Sequence, residues 1–203
     1  MHIFLGTVAI LIAVISYSLY FRDVLAGKTK PHAFTWLIWS SLNMFIFYAQ
    51  IMNNGGPGAW VTGAAAIANG LIFLLALRYG EKNIALLDWL CLLIALTSLG
   101  IWLVYPDGEL SILLACALFV IGFIPTLRKS FRKAHEETAI TFGLNSIKFF
   151  IALFALSSVT ITTALFPFLL FIINGFFACF LFVRQQSSAK RNKVRKRPRK
   201  VTA

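Results

Sequence analysis

Seven runs of uncharged or nearly uncharged, mostly apolar residues follow one another along the chain, at 3–21, 33–52, 58–77, 84–105, 109–127, 138–157 and 161–183. Each is about 20 residues long, the length an α-helix needs to cross the hydrocarbon core of a bilayer. The pattern predicts seven transmembrane helices. They use most of the chain, so the connections are short and no soluble domain is left for chemistry in water; function must lie inside the bundle. The first run differs from a secretory signal, because Met1, His2 and Ile3 lead straight into it and no small-x-small cleavage site precedes Arg22. It is expected to be the first helix.

Composition agrees: hydrophobic residues make up 59% of the 203 residues and charged residues 13%. The mean hydropathy of +0.81 is far above that of a soluble domain. The placement of charge then gives an orientation. Arg22, Lys28 and Lys30 follow the first run, Arg78 and Lys82 the third, and Arg128, Lys129, Arg132 and Lys133 the fifth. The other three connections, at Asn53–Gly58, Tyr105–Gly108 and Ser157–Thr160, hold no Lys or Arg. By the positive-inside rule the N-terminus is outside and the C-terminus inside, with Trp60, Trp102 and Tyr105 as aromatics at the outer interface.

The polar residues within and beside the helices repeat. His32 and Thr35 are matched by His135 and Thr138, Asn43 by Asn145, and the Asn69-Gly70 pair by Asn174-Gly175, each pair separated by a little over one hundred residues. Such spacing, with small drift, reads as internal duplication. A unit of three helices reverses direction, so two parallel copies need one helix between them. The expected fold is therefore an all-α membrane protein of two parallel three-helix bundles joined by a linker helix. Its divisions are 1–80, a linker helix at 81–106, 107–185, and a basic tail at 186–203 expected to be disordered.

With these features the chain resembles the PQ-loop superfamily, which includes the SWEET and SemiSWEET sugar transporters, cystinosin-like exporters and the KDEL receptors. The resemblance covers nearly the whole chain. It implies the N-out topology, a Pro-Gln motif near the cytoplasmic end of the first helix of each bundle, and a pocket asparagine in the third. Asn69 and Asn174 match the pocket asparagines. Pro125-Thr126 stands where the second Pro-Gln belongs, which makes Pro125 a candidate hinge; Tyr17–Phe21, the corresponding stretch of the first repeat, has no proline.

Counted from the cytoplasmic helix ends, Asn43, Asn69, Asn145, Lys148 and Asn174 all lie about ten residues in, roughly 13–15 Å deep and near the bilayer midplane. Repeat-built transporters bind solute there, and amides both donate and accept. The plainer reading is that the asparagines join helices to one another. Lys148 has no basic counterpart in the first repeat and costs about 3 kcal/mol at that depth on insertion scales. It is expected to face the cavity and attract an anionic solute or titrate as a coupling group; a bridge to Asp88, which lies nearer the cytoplasmic surface, is the alternative. Trp36 and Trp39 share a helix face with Asn43, which makes Trp39 a candidate ring to stack on the solute, packing being the competing role. His32 and His135 are candidate gate residues for the same cytoplasmic end. Glu136 and Glu137 suit the first turn of the sixth helix, and Gly63, Gly70 and Gly175 close helix approach.

Cys91, Cys116 and Cys179 fall within helices with neither disulfide nor metal spacing, and no catalytic motif appears, so no cofactor, metal or enzyme activity is expected. Eight of the eleven residues from Lys190 to Lys200 are basic and supply most of the net charge of +12. Directly after a helix that ends inside, such a run is expected to touch anionic lipid and fix orientation rather than bind nucleic acid. Two functions fit: a transporter or facilitator of a small polar solute, or a non-transporting receptor on the same fold. A bacterial plasma membrane suits the short loops, and a homo-oligomer is compatible with the sequence.

Overall fold

The computed structural model describes the backbone of residues 1–104 and 108–195, and the side chains of these apart from 98, 99, 101–104, 108 and 188–195. Trp102, Tyr105 and the side chains of the basic tail therefore lie outside the described residues. Seven α-helices account for nearly all of the rest: α1 His2–Leu25, α2 Ala33–Met52, α3 Trp60–Tyr79, α4 Leu86–Val104, α5 Gly108–Lys133, α6 Ala139–Ala155 and α7 Ile161–Arg195. Short 3-10 turns stand at Gly56–Ala59 and Ala134–Glu136. There is no strand among the described residues.

Helix ends sit where local chemistry puts them. After α1, Gly27 takes a left-handed φ of 69°, and the amides of Gly27 and Lys28 return to the carbonyls of Val24 and Asp23. That is a Schellman closure, which needs a residue without a Cβ penalty at this point. Pro57 occupies the first turn of the 3-10 segment that leads into α3, where its missing N–H costs nothing. Glu136 and Glu137 precede α6 rather than entering its first turn, because Ala134–Glu136 winds as its own 3-10 turn.

Four spans, His2–Leu25, Gly56–Tyr79, Glu109–Glu136 and Ile161–Ser187, are long and apolar enough to cross a membrane, and Leu86–Thr97 and Ala139–Ala155 are shorter apolar stretches. Large apolar side chains on the outside of the bundle, among them Phe4, Leu11, Ile67, Leu93 and Phe176, are exposed, as residues facing lipid are. This is the make-up of a membrane protein.

Packing follows a pattern. α3 lies against both α1 and α2, and α7 against both α5 and α6. α1 packs on α6 and α2 on α5, while α4 stands to one side against α5 and α2. Small residues make the close contacts: Ala9 and Ala13 on α1, Ala65 and Ala68 on α3, and Ala152 on α6 are buried in the core. Between them stand large rings, with Trp39 stacked on Phe119 at 4.8 Å and an interplanar angle of 7°.

Candidate functional site

The four repeated asparagines meet. Asn43, Asn69, Asn145 and Asn174 line one internal cavity, together with Trp36 and Trp39, the rings of Tyr17, Phe119 and Phe149, and the side chains of Ala65 and Leu170. The cavity is small: the centre of a water molecule can range over about 20 Å³. Its walls come from α1, α2, α3, α5, α6 and α7, and α4 supplies none of these side chains.

Hydrogen bonds fix how the amides present themselves. Asn43 and Asn174 each donate Nδ2 to the carbonyl one turn back, that of Trp39 at 2.7 Å and that of Leu170 at 2.8 Å. Asn145 Oδ1 accepts from Ser16 Oγ at 3.0 Å, which ties α6 to α1. Asn69 makes no side-chain hydrogen bond among the described residues, and Asn43 Oδ1 is buried without a donor. The glycines that follow Asn69 and Asn174 have a packing reason. A Cβ at Gly70 would stand 3.1 Å from Ser40 Oγ and one at Gly175 3.0 Å from Ser146 Oγ. Those hydroxyls bond the carbonyls of Ala66 and Phe171, so each Asn-Gly pair joins a cavity amide to a close helix crossing.

The tryptophans divide their work. Trp39 lines the cavity and also packs, stacked on Phe119 with its Nε1 donating to the Phe119 carbonyl at 3.3 Å. Trp36 sits against Tyr20 at 4.8 Å and Trp39 at 5.3 Å, and its buried Nε1–H has no acceptor.

Lys148 is fully buried but is not among the residues lining the cavity. Its ammonium lies 4.0 Å from the centre of the Tyr17 ring and 5.0 Å from that of Phe149, without a hydrogen-bond partner. Asp88 is engaged elsewhere: it takes Arg128 at 2.6 Å, caps the start of α4 by accepting from the Ala85 amide, and stands 3.3 Å from His32 Nε2.

The end of the bundle that carries the basic connections is closed by charge. Lys129, buried, pairs with Glu137 at 2.6 Å and also donates to the carbonyls of Lys30 and Glu136. Tyr20 donates its hydroxyl to the other Glu137 oxygen at 3.1 Å, and Thr29 and Thr138 hydroxyls meet at 2.6 Å. Lys30 holds Glu136 at 2.9 Å and Lys133 holds Glu81 at 2.7 Å. Burial pushes the Glu137 carboxyl above its ordinary value, and the Lys129 ammonium opposes that shift. At the opposite end the joints are neutral: Gln50 Nε2 donates to the Thr163 carbonyl at 2.8 Å and the Ser157 amide to the Gly55 carbonyl at 3.1 Å.

The two histidines occupy different surroundings. His32 is buried beside Asp88, with neither ring nitrogen in hydrogen-bonding geometry, whereas His135 is exposed in the turn before α6. α4 makes the difference, since it brings Asp88 to one of the two equivalent positions only. Burial lowers the His32 pKa; Asp88 opposes the shift and Arg128 and Lys129 reinforce it. Pro125 lies inside α5, where it removes one backbone hydrogen bond, and its neighbour Thr126 donates to Thr35 Oγ1 at 3.0 Å. No group of three or more His, Cys, Asp or Glu side chains forms among the described residues.

Tyr17, Phe119 and Phe149 line the cavity without having been marked by the sequence, because aromatic residues in apolar helices look alike until the inward face is known. The Lys129–Glu137 pair was also hidden. Its members are eight positions apart, across a helix end and a turn, and only the folded connection brings them together.

Fold and cavity together define an all-helical membrane protein with an amide-lined internal site. Compared with protein-family models, with curated proteins and with solved structures, the chain matches none of them.

Proposed function

We propose that this protein is a transporter or facilitator of a small polar solute, working by alternating access between two parallel three-helix bundles joined by α4, as in the SWEET-like proteins its sequence resembles. One observation carries the reading: the cavity wall is built from residues at equivalent places in the two halves. Asn43 faces Asn145 in this sense, Asn69 Asn174, Tyr17 Phe119 and Ala65 Leu170, and the helix without a counterpart stays outside. The packing supports it, because α3 lies on α1 and α2 as α7 lies on α5 and α6, and α1 meets α6 as α5 meets α2. The clustering of Lys30, Lys129, Lys133 and Arg128 at one end supports a cytoplasmic assignment for that end.

The two sets of joints give the proposal its moving parts. Opening toward the cytoplasm requires the Lys129–Glu137, Tyr20–Glu137 and Thr29–Thr138 contacts to part; opening outward requires the Gln50–Thr163 and Gly55–Ser157 contacts to part. Both sets of contacts are made in this structure, so each direction of opening has its own contacts to break. The test is flux of a labelled panel of sugars, amino acids, organic acids and vitamins into proteoliposomes. Uptake of at least one solute, lost in an Asn69→Ala, Asn174→Ala double variant that still folds, is the expected result. Saturable binding without flux would instead identify a receptor.

A further inference from the structure

We propose that the solute is a small carboxylate, bound by the Lys148 ammonium after the Tyr17 ring that covers it moves aside. The inference rests on the transport-site reading above and names its substrate class. Three observations converge on it.

Lys148 has no counter-charge within the described protein. Its Nζ is fully buried without a hydrogen bond, and its nearest electron-rich groups are the ring faces of Tyr17 and Phe149 at 4.0 and 5.0 Å. The acids at the basic end are already engaged: Asp23 with Arg22, Glu81 with Lys133, Asp88 with Arg128, Glu136 with Lys30 and Glu137 with Lys129. Glu109 stands exposed at the far end, in the first turn of α5. A buried ammonium is retained at a midplane position when something supplies the missing negative charge, and none of these side chains does.

The ammonium is one ring away from the cavity. Tyr17 and Phe149, whose rings it lies against, are themselves cavity wall. A cation held against a ring face is favourable but makes no directed hydrogen bond, so its three N–H donors gain when an anion replaces the ring. Displacing Tyr17 also enlarges a cavity that otherwise has space for little more than water.

Donors stand without acceptors at this place: Lys148 Nζ has no partner, and the buried Trp36 Nε1–H has none in hydrogen-bonding geometry. A carboxylate brings two oxygens that only accept, which fits that surplus; a neutral polyol brings as many donors as acceptors. The unpartnered Asn43 Oδ1 leaves a place for one donor on the same molecule, such as the hydroxyl of a hydroxy acid.

The test pairs each acid with its amide, which has the same shape without the charge: lactate with lactamide, propionate with propionamide, benzoate with benzamide. Binding to the protein in nanodiscs is measured calorimetrically. In the wild type at least one acid is expected to bind ten-fold or more tightly than its amide. Lys148→Met should abolish that preference, and Lys148→Arg should retain part of it. Equal binding of acids and amides in the wild type overturns the carboxylate assignment. So does a preference that survives Lys148→Met. If amides and acids bind alike and Asn69→Ala weakens both, the solute site stands and only its charge selectivity falls. If none binds, and the proteoliposome panel also shows no flux, both proposals fall. Should Lys148→Met not fold, Lys148→Gln takes its place, with the same loss of preference expected and the same survival of preference refuting the proposal.

Discussion

Replacing Lys148 with methionine should make the protein more stable while removing its charge-selective binding. The side chain is fully buried on α6, with an ammonium that no acceptor or acid reaches. A lysine at the centre of a transmembrane helix costs about 3 kcal/mol on insertion scales. The contact with Tyr17 at 4.0 Å, desolvated, returns about 2 kcal/mol. Methionine has a similar unbranched shape, carries no charge, and packs well against the same two rings. The net gain is therefore about 1 kcal/mol, or roughly 2–4 °C in the melting temperature for a chain of this size. The assay is thermal unfolding of wild type and variant in one detergent, followed by tryptophan fluorescence and by loss of the monodisperse peak. A fall of 1 kcal/mol or more would refute the reasoning, because it would mean that the ammonium has a favourable partner in the folded state. A gain accompanied by lost acid binding is the pattern of a group kept for function at the expense of stability.

Lys129→Met should destabilise the closed basic end by about 2–4 kcal/mol, since the buried Glu137 carboxyl loses its counter-charge and the carbonyls of Lys30 and Glu136 lose their donor; the check is a lowered melting temperature, and an unchanged one would show that the pair contributes little. His32 gives a pH effect of definite sign. Because its folded pKa lies below the ordinary 6.5, the unfolded chain takes up the proton first, so stability is full above about 6.5 and falls as the pH drops toward the folded value. Glu137 acts the other way: its raised carboxyl protonates first in the folded chain, so its contribution grows as the pH falls through that raised value toward 4.5. Melting curves of wild type and His32→Gln between about pH 7.5 and 5.5 should therefore converge as the pH falls, and parallel curves would contradict the burial argument.

Much of the helix layout could be read from hydropathy. The run at 33–52 and helix Ala33–Met52 coincide; α1, α3, α5 and α7 continue past the last apolar residue of their runs, whereas α4 and α6 stop short of theirs at both ends. α5 winds on through Arg128–Lys133 and α7 through Arg184 to Arg195, because charged residues end a membrane span without ending a helix. The convergence of Asn43, Asn69, Asn145, Asn174 and Trp39 on one cavity also follows from equal depth, since residues at one level on inward faces have only each other to meet. Depth gave no azimuth, however. Lys148 lies near Asn145 along α6, yet its head group is behind Tyr17 rather than in the cavity, and nothing in the spacing distinguishes those two directions.

By itself, then, the sequence determined what composition and periodicity control: apolar helices of membrane length, the basic connections, and the repeated polar residues at one depth. Tertiary structure alone decided partnership. It buried His32 beside Asp88 and left its repeat-mate His135 exposed, because α4 has no counterpart and brings its carboxylate to only one of the two histidines. It also joined Lys129 to Glu137 and Arg128 to Asp88, leaving Lys148 without an acid. Charge pairing falls off so steeply with distance, and buried groups depend so strongly on their immediate neighbours, that a few ångströms set by packing decide which ammonium is satisfied and which remains for a ligand.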